Sequence, residues 1–307
     1  MSAPTIVLQG VSRRFGALWA VRDVDLALQP GTCVGLVGHN GAGKSTAIKM
    51  MLGLLRPTHG TVRVLNQDPA SGNATARQAL GYLPENLAFS PGMTGAETLA
   101  FYARLKRQAV RRNAELLERV GLGAAAHRKV GTYSKGMRQR LGLAQALLSA
   151  PRALLLDEPT TGLDPALRQS FYAILHELRD EGATILLSSH ALAELEGEVD
   201  RVVVMNSGRV LADGDIQVLR GLSGIRPRVR IRLPQADREP GRWQRWRRLP
   251  GNLLETECDE ADILPLLRGL PDAAGDVEVL RPSLDEVYAT FLQGDRTSGL
   301  PSREQSP

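Results

Sequence analysis

The chain has 307 residues, 43% of them hydrophobic, and 38 basic against 33 acidic side chains leave a net charge of +5. This is length for two domains with a sizeable core, while two cysteines, Cys33 and Cys258, without any C-x-x-C exclude a disulfide framework and a thiolate metal centre and point to a reducing compartment. No apolar run approaches the ~18 residues of a spanning helix, and Met1-Ser2-Ala3-Pro4-Thr5 lacks the pattern of a secretory signal. The expectation is a cytoplasmic protein that meets a membrane only through a partner.

Residues 5 to 37 alternate in strand fashion, with Val24, Leu26 and Leu28 set against Asp23, Asp25 and Gln29, and Gln29-Pro30-Gly31-Thr32 reads as a turn. This predicts an antiparallel region feeding a buried strand at Cys33-Val34-Gly35-Leu36-Val37. Phe15-Gly16 lies inside it. An isolated Phe is more often core, but an exposed aromatic there could stack on a base.

The stretch Gly38-His39-Asn40-Gly41-Ala42-Gly43-Lys44-Ser45-Thr46 fits G-x-x-x-x-G-K-[ST] and stands between that strand and a helical run, Ala47 to Leu52. Glycines let the backbone turn its N–H groups on a polyphosphate, and the helix directs its positive dipole end at the same anion. Lys44 would then reach the β- and γ-phosphates, and Ser45 would hold Mg²⁺.

Gly60 to Leu65 is a further strand, and Gly81-Tyr82-Leu83-Pro84-Glu85-Asn86 ends another. The pattern then turns helical from Glu97 to Leu105 and from Arg112 to Val120. Tyr133-Ser134-Lys135-Gly136-Met137 reads as a helix start with Ser134 as N-cap and backbone N–H groups free for an anion; taken alone, the better reading is an ordinary capped helix.

Ala153 to Leu156 is a wholly apolar strand ending in Asp157-Glu158, followed by the turn Pro159 to Pro165. Strands buried on both faces suit a parallel sheet, whose carboxyl ends collect ligands. Asp157 is placed to approach Mg²⁺ and Glu158 to polarise an attacking water. A helix over Phe171 to Arg179 leads to the strand Ala183 to Leu187, ending at Ser188-Ser189-His190. His190 thus falls on the same sheet edge as Ser45 and Asp157, within reach of a γ-phosphate. Arg201 to Met205 and Gly208 to Ala212 close this part as a strand pair.

Over residues 5 to about 220 the ensemble resembles the nucleotide-binding subunit of ATP-binding cassette (ABC) transporters. The resemblance implies an α/β P-loop NTPase of ABC type: a RecA-like mixed sheet, an antiparallel β subdomain and a helical subdomain at about 86–150 within a cassette of 1–222. It makes Phe15 the adenine-stacking aromatic, Gly38 to Thr46 (Gly38, His39, Asn40, Gly41, Ala42, Gly43, Lys44, Ser45, Thr46) the Walker A loop, and Leu154 to Asp157 the Walker B strand. Glu158 becomes the catalytic base, Asp164 the dimer-contacting acid and His190 the switch histidine. Ser134, Lys135 and Gly136 fall in the signature, which departs from Leu-Ser-Gly-Gly-Gln at three of five positions. Glu85 stands where the family usually carries Gln and, with Ser45 and Asp157, would ligate Mg²⁺. The implied assembly is a head-to-tail homodimer sandwiching ATP, driving an integral membrane permease from the inner face of the cell membrane, with no nucleic-acid partner. Tyr82 to Asn86, Tyr133 to Arg140 and Pro282 to Tyr288 look like the subgroup serving ABC-2 type permeases. Gly38 to Leu55, Gly81 to Leu87 and Thr132 to Leu148 resemble its NosF branch, which matures the copper sites of nitrous oxide reductase with a NosY-like permease and a periplasmic NosD-like component. A copper or sulfur cargo is implied by that resemblance only; the alternatives are the ATPase of a multidrug or other ABC-2 exporter, and a soluble ABC ATPase acting on nucleic acid.

Residues 224 to 249 are rich in Arg with Trp243 and Trp246 interleaved, a composition that flags nucleic acid, and residues 251 to 295 answer with acids. The plainer reading is a small α/β domain, 223–294, whose opposite charges pair within the fold or across a dimer. Strands are expected at 228–233, 253–258 and 277–280, helices near 241–248, 261–270 and 283–292, and a disordered tail at 295–307.

Overall fold

The computed structural model describes residues 3–72, 76, 78–233, 243–271 and 274–298. They fall into two compact units, Met1–Ile216 and Gln217–Pro307.

The first unit opens with β1 (Ile6–Phe15) and β2 (Leu18–Leu28), then β3 (Cys33–Val37), α1 (Lys44–Met51) and β4 (His59–Val64). Strands β2, β1 and β4 form an antiparallel sheet in that order. The alternation anticipated for β2 holds: Val24, Leu26 and Leu28 are buried in one cluster with Ile6, Leu8 and the apolar face of α1. Each such side chain removed from water is worth ~1.5–3 kcal/mol.

Next come β5 (Leu80–Leu83), three helices, α2 (Gly95–Leu105), α3 (Asn113–Arg119) and α4 (Lys135–Leu147), then β6 (Ala153–Leu156), α5 (Pro165–Asp180), β7 (Thr184–Ser189), β8 (Arg201–Asn206) and β9 (Arg209–Gly214). The second sheet has the order β5-β6-β7-β3-β8-β9, parallel except for β8 with β9. Every residue of β3, β6 and β7 is buried, as two-sided coverage requires. The register sets Leu83 beside Leu156, Leu156 beside Leu187, and Val37 beside Ser189. Gly38, Pro84, Asp157 and His190 therefore leave the sheet along one edge. The helices between β5 and β6 are held at their start by Thr94 and Glu97, which cap each other's backbone N–H groups.

A helix, α6 (Ile216–Ser223), begins at the junction of the two units. The second unit contains β10 (Arg228–Arg232), β11 (Arg247–Leu249), β12 (Leu253–Glu257), α7 (Ile263–Arg268), β13 (Gly275–Leu280) and α8 (Leu284–Ser298), with the antiparallel sheet β11-β12-β10-β13. The helix anticipated near 241–248 is not formed by its described part: residues 243–245 are turn and Arg247–Leu249 is a strand paired with β12. Residues 295–298, anticipated in the tail, belong to α8, while 299–307 lie outside the described residues.

The basic and acidic segments meet inside this unit. Arg230 bridges Glu255 at 2.9 Å and Glu278 at 3.6 Å, Arg232 pairs with Asp276 at 2.7 Å, and Arg228 with Glu286 at 3.5 Å. On the opposite face Val229 and Ile231 pack with Leu254, Ile263 and Trp243, and Trp246 packs against that cluster. The two indoles meet edge to face, 5.5 Å between centroids. Both are thus core aromatics.

Candidate active site

Buried strand β3 delivers the chain into the turn Gly38–Gly43, and two of its glycines are required by space. A Cβ on Gly38 would lie 2.6 Å from the Met205 carbonyl oxygen and 2.7 Å from the Ala42 Cβ. On Gly43, at φ 107°, it would lie 2.5 Å from the Ala20 carbonyl oxygen. Gly43 is the N-cap of α1, so the helix opens towards the loop with no acidic residue in its first turn. The Lys44 side chain is 6% exposed; its ammonium donates to the carbonyls of Gly38 and, at 3.4 Å, of His39, and lies 3.4 Å from Glu158 Oε1. His39 ties the loop to β8: its Nδ1 is 2.7 Å from Asn40 O and its Nε2 2.6 Å from Asn206 Oδ1.

At the exit of β6, Asp157 is 4% exposed and accepts the Ser188 hydroxyl at 2.7 Å. The same Ser188 oxygen accepts the Glu158 N–H at 2.9 Å. Glu158 has φ 48°, a left-handed conformation that costs a non-glycine residue ~1–3 kcal/mol and persists only where neighbours enforce it. Its Oε2 accepts from Thr161 Oγ1 at 3.1 Å and lies 2.9 Å from His190 Nδ1. His190, half exposed, thus touches the carboxylate at the end of the neighbouring strand rather than standing apart from it. Burial pushes the Tyr82 phenol up to about 12, and the nearby Asp157 and Glu85 carboxylates push in the same direction. Asp157 and Glu85 therefore share one electrostatic neighbourhood.

These groups open on a cleft of ~700 Å³ walled by the turn from His39 to Thr46, by Glu85 and Glu158, and by Phe15, Leu18 and Trp19 from β1 and β2. Phe15 is 44% exposed, which sets aside the core reading, and the Arg13 guanidinium covers one ring face at 4.6 Å. The wall joins loop donors, a lysine, carboxylates and an exposed ring, the donor set for a nucleoside triphosphate with a divalent ion.

The remaining residues singled out in the sequence stand elsewhere. Ser134 caps α4 through the Met137 N–H at 3.2 Å, and Asp164 caps α5 through the Leu167 N–H at 2.9 Å. Ser134, Lys135 and Asp164 are exposed, Gly136 packs against Leu167 and Leu163, and none of the four lines the cleft. Ser188, Thr161, Arg13 and Trp19 escaped the sequence reading. For Ser188 the only signal was its place at the end of a buried apolar strand; that this strand lies beside the one carrying Asp157 comes from the sheet order.

A protein-family comparison matches residues 21–161 to the family described as ABC transporter. The chain is 34% identical over 312 residues to the daunorubicin resistance ATP-binding protein DrrA3 of Streptomyces coeruleorubidus, covering 96% of this chain and 98% of that one. It is 40% identical over 218 residues to the Nod factor export ATP-binding protein I of Burkholderia orbicola, covering 70% and 72%. Among solved structures, an ATP binding subunit of an ABC transporter superposes with a TM-score of 0.66 at 32% identity, covering 72% of this chain and 93% of that one.

Proposed function

Because the chain belongs to the ATP-binding subunits of ABC transporters, an ATPase family whose members work as dimers with a membrane permease, we propose that it is the ATP-hydrolysing engine of an ABC-2 type exporter. The observation that carries this reading is the meeting of the Gly38–Thr46 turn, Asp157 and Glu158 at one edge of a parallel sheet, with Lys44 and Glu158 in contact. Phe15 offers its open ring face to the adenine, and the loop N–H groups with Lys44 hold the phosphates. Ser45, Asp157 and Glu85 hold Mg²⁺, which when bound neutralises charge on the β- and γ-phosphates.

Hydrolysis then needs a base and a trigger. Glu158, fixed by Ser188 and Thr161, takes the proton of the attacking water. His190, at 2.9 Å, orients that carboxylate and senses the γ-phosphate. An incoming triphosphate draws Lys44 from Glu158 and frees the base for water. Ser134 and Gly136 act on the nucleotide of a second copy in a head-to-tail dimer, and Asp164 faces that copy. Closure and release are passed to the permease through the helices after Glu85, where Phe101 and Leu105 are exposed.

No helix among the described residues is long and apolar enough to cross a membrane. The proposed location is the inner face of the cell membrane, held by the permease. For cargo, the relatives above are named for drug resistance and Nod factor export, which supports an exporter. A role in copper-site maturation, with NosY- and NosD-like partners, is supported only by the resemblance of three sequence stretches. Deleting the gene separates the two: a defect confined to drug or Nod factor efflux supports the first, and loss of nitrous oxide reductase copper centres the second.

The test of the engine itself is Glu158→Gln. It should bind ATP, stop releasing phosphate and run as a dimer by sizing with light scattering. A monomeric variant with full phosphate release would refute the reading.

A further inference from the structure

A second cavity, of ~580 Å³, lies between α2 and α3 and shares no lining residue with the nucleotide cleft. Its floor is formed by the buried Leu117 and Asn113 of α3. Ala96 and Ala100 of α2, four residues apart on one helix face, and Ala114 of α3 line its walls, and their short side chains leave room that larger ones would fill. The volume is that of a site for a small organic molecule, far more than one lysine or arginine side chain of a partner would occupy.

Polar groups in this hollow are left unmet. Asn113 is 5% exposed, and neither its amide oxygen nor its amide nitrogen has a hydrogen-bond partner among the described residues. Buried amides are nearly always paired, because an unmet donor or acceptor forfeits the bonds that water would have supplied. The exposed Glu118 carboxylate lies over the bare α-carbon of Gly123, where a Cβ would collide with it, and has neither a hydrogen bond nor an ion pair among the described residues. Glu97 adds a second carboxylate, which the Thr94 N–H, donating at 2.8 Å, holds below its ordinary range. His127 stands near Glu97, and no lysine or arginine lines the cavity among the described residues. The result is an apolar hollow with anionic groups at its mouth and an open amide at its base.

We infer that the cavity between α2 and α3 is a binding site for a small organic amine, an ammonium on an apolar body, separate from the nucleotide cleft. The carboxylates of Glu118 and Glu97 answer its charge, and the Asn113 amide oxygen takes an N–H that no described residue supplies. The body of the ligand covers Leu117 and the alanines of the walls. A carboxylate or phosphate ligand is disfavoured by two carboxylates with no lysine or arginine to offset them, and a purely apolar one would leave the Asn113 amide unmet. No bond is made or broken, and the site stands whether or not the cargo and dimer readings above hold.

The experiment titrates the full chain with hexylamine, benzylamine and tryptamine, each against the alcohol of the same skeleton, and follows binding by ligand-observed NMR. At least one amine should saturate a single site and bind about tenfold or more tightly than its alcohol, the gap expected for one charge-assisted contact. Saturating MgATP should leave that affinity unchanged; this control matters because Glu85 and Glu158 give the nucleotide cleft carboxylates at which an amine can also lodge. Glu118→Gln should weaken the amine about tenfold and leave the alcohol unaffected. Asn113→Leu should likewise weaken the amine about tenfold or more and yet melt no lower than wild type, because it removes an unmet amide and no hydrogen bond. If Asn113→Leu fails to fold, the exposed Glu118→Gln decides alone. No saturable binding by any of the three amines, equal binding of amine and alcohol, displacement by MgATP, or unchanged affinity in Glu118→Gln overturns the site. Lower melting of Asn113→Leu with the amine still bound overturns the role of Asn113.

Discussion

Ser188→Ala tests the internal logic of the site most directly, because one hydroxyl serves both carboxylate residues. It donates to the buried Asp157 at 2.7 Å and accepts the Glu158 N–H at 2.9 Å, and Ser188 is 1% exposed, so water does not replace it. A hydrogen bond to a charged group is worth ~1.5–3 kcal/mol and a neutral one ~1 kcal/mol, which puts the loss near ~3 kcal/mol. For a unit of this size that lowers the melting temperature by ~6–12 °C. The second consequence is kinetic: Glu158 keeps its left-handed backbone at φ 48° only under restraint, and releasing it should lower kcat by ~10–100-fold while the KM for ATP changes little. Thermal melting with a fluorescent dye and a phosphate-release assay read the two effects. A variant that melts within about 2 °C of wild type and keeps its kcat would show that Ser188 does not hold Asp157 and Glu158.

Phe15→Ala removes the half-exposed ring beneath Arg13 and should raise the KM for ATP by ~5–100-fold with kcat nearly unchanged, the range expected for one base–aromatic stack; an unchanged KM would remove Phe15 from the site. Gly43→Ala places a methyl 2.5 Å from the Ala20 carbonyl at a left-handed position, so ATP binding measured by fluorescent nucleotide should be lost while the rest of the sheet persists by circular dichroism; normal binding would contradict the close packing there. In alkali, burial has raised Cys33 from 9.0 to about 12 and Tyr82 from 10.0 to about 12. Between those values the unfolded chain gives up protons that the folded one keeps, so stability is intact below about pH 9 and falls as pH rises towards 12, by up to ~1.4 kcal/mol per pH unit for each group. Denaturant melts across that window, with Cys33 refractory to thiol reagents until unfolding, check it. Stability that rises with pH there would refute the shifts.

How much of this was legible in the chain depends on how local the cause is. The Gly38–Thr46 turn, the capped start at Ser134 and the apolar strand into Asp157-Glu158 are written in consecutive residues, because glycine conformations, N-caps and two-sided burial leave local patterns. Glu85 and Lys135 could likewise be read as departures in charge. The order β5-β6-β7-β3-β8-β9 could not, since hydrophobic runs say that a strand is buried but not beside which strand. From that order follow the contacts that matter most: Ser188 under Asp157 and Glu158, His190 on Glu158, and Glu158 on Lys44. The second unit shows the same division. Its alternating Arg and Val in β10 declared a two-faced strand, and the charge balance foretold pairing. Yet Trp243 to Arg248 contains neither Gly nor Pro, and its end becomes strand because Arg247 and Leu249 find Glu255 and Leu253 across a tight turn. Sequence alone determined which residues can touch a phosphate; the tertiary structure decided which carboxylate each of them answers to, because pairing across strands is a property of neighbours distant in the chain.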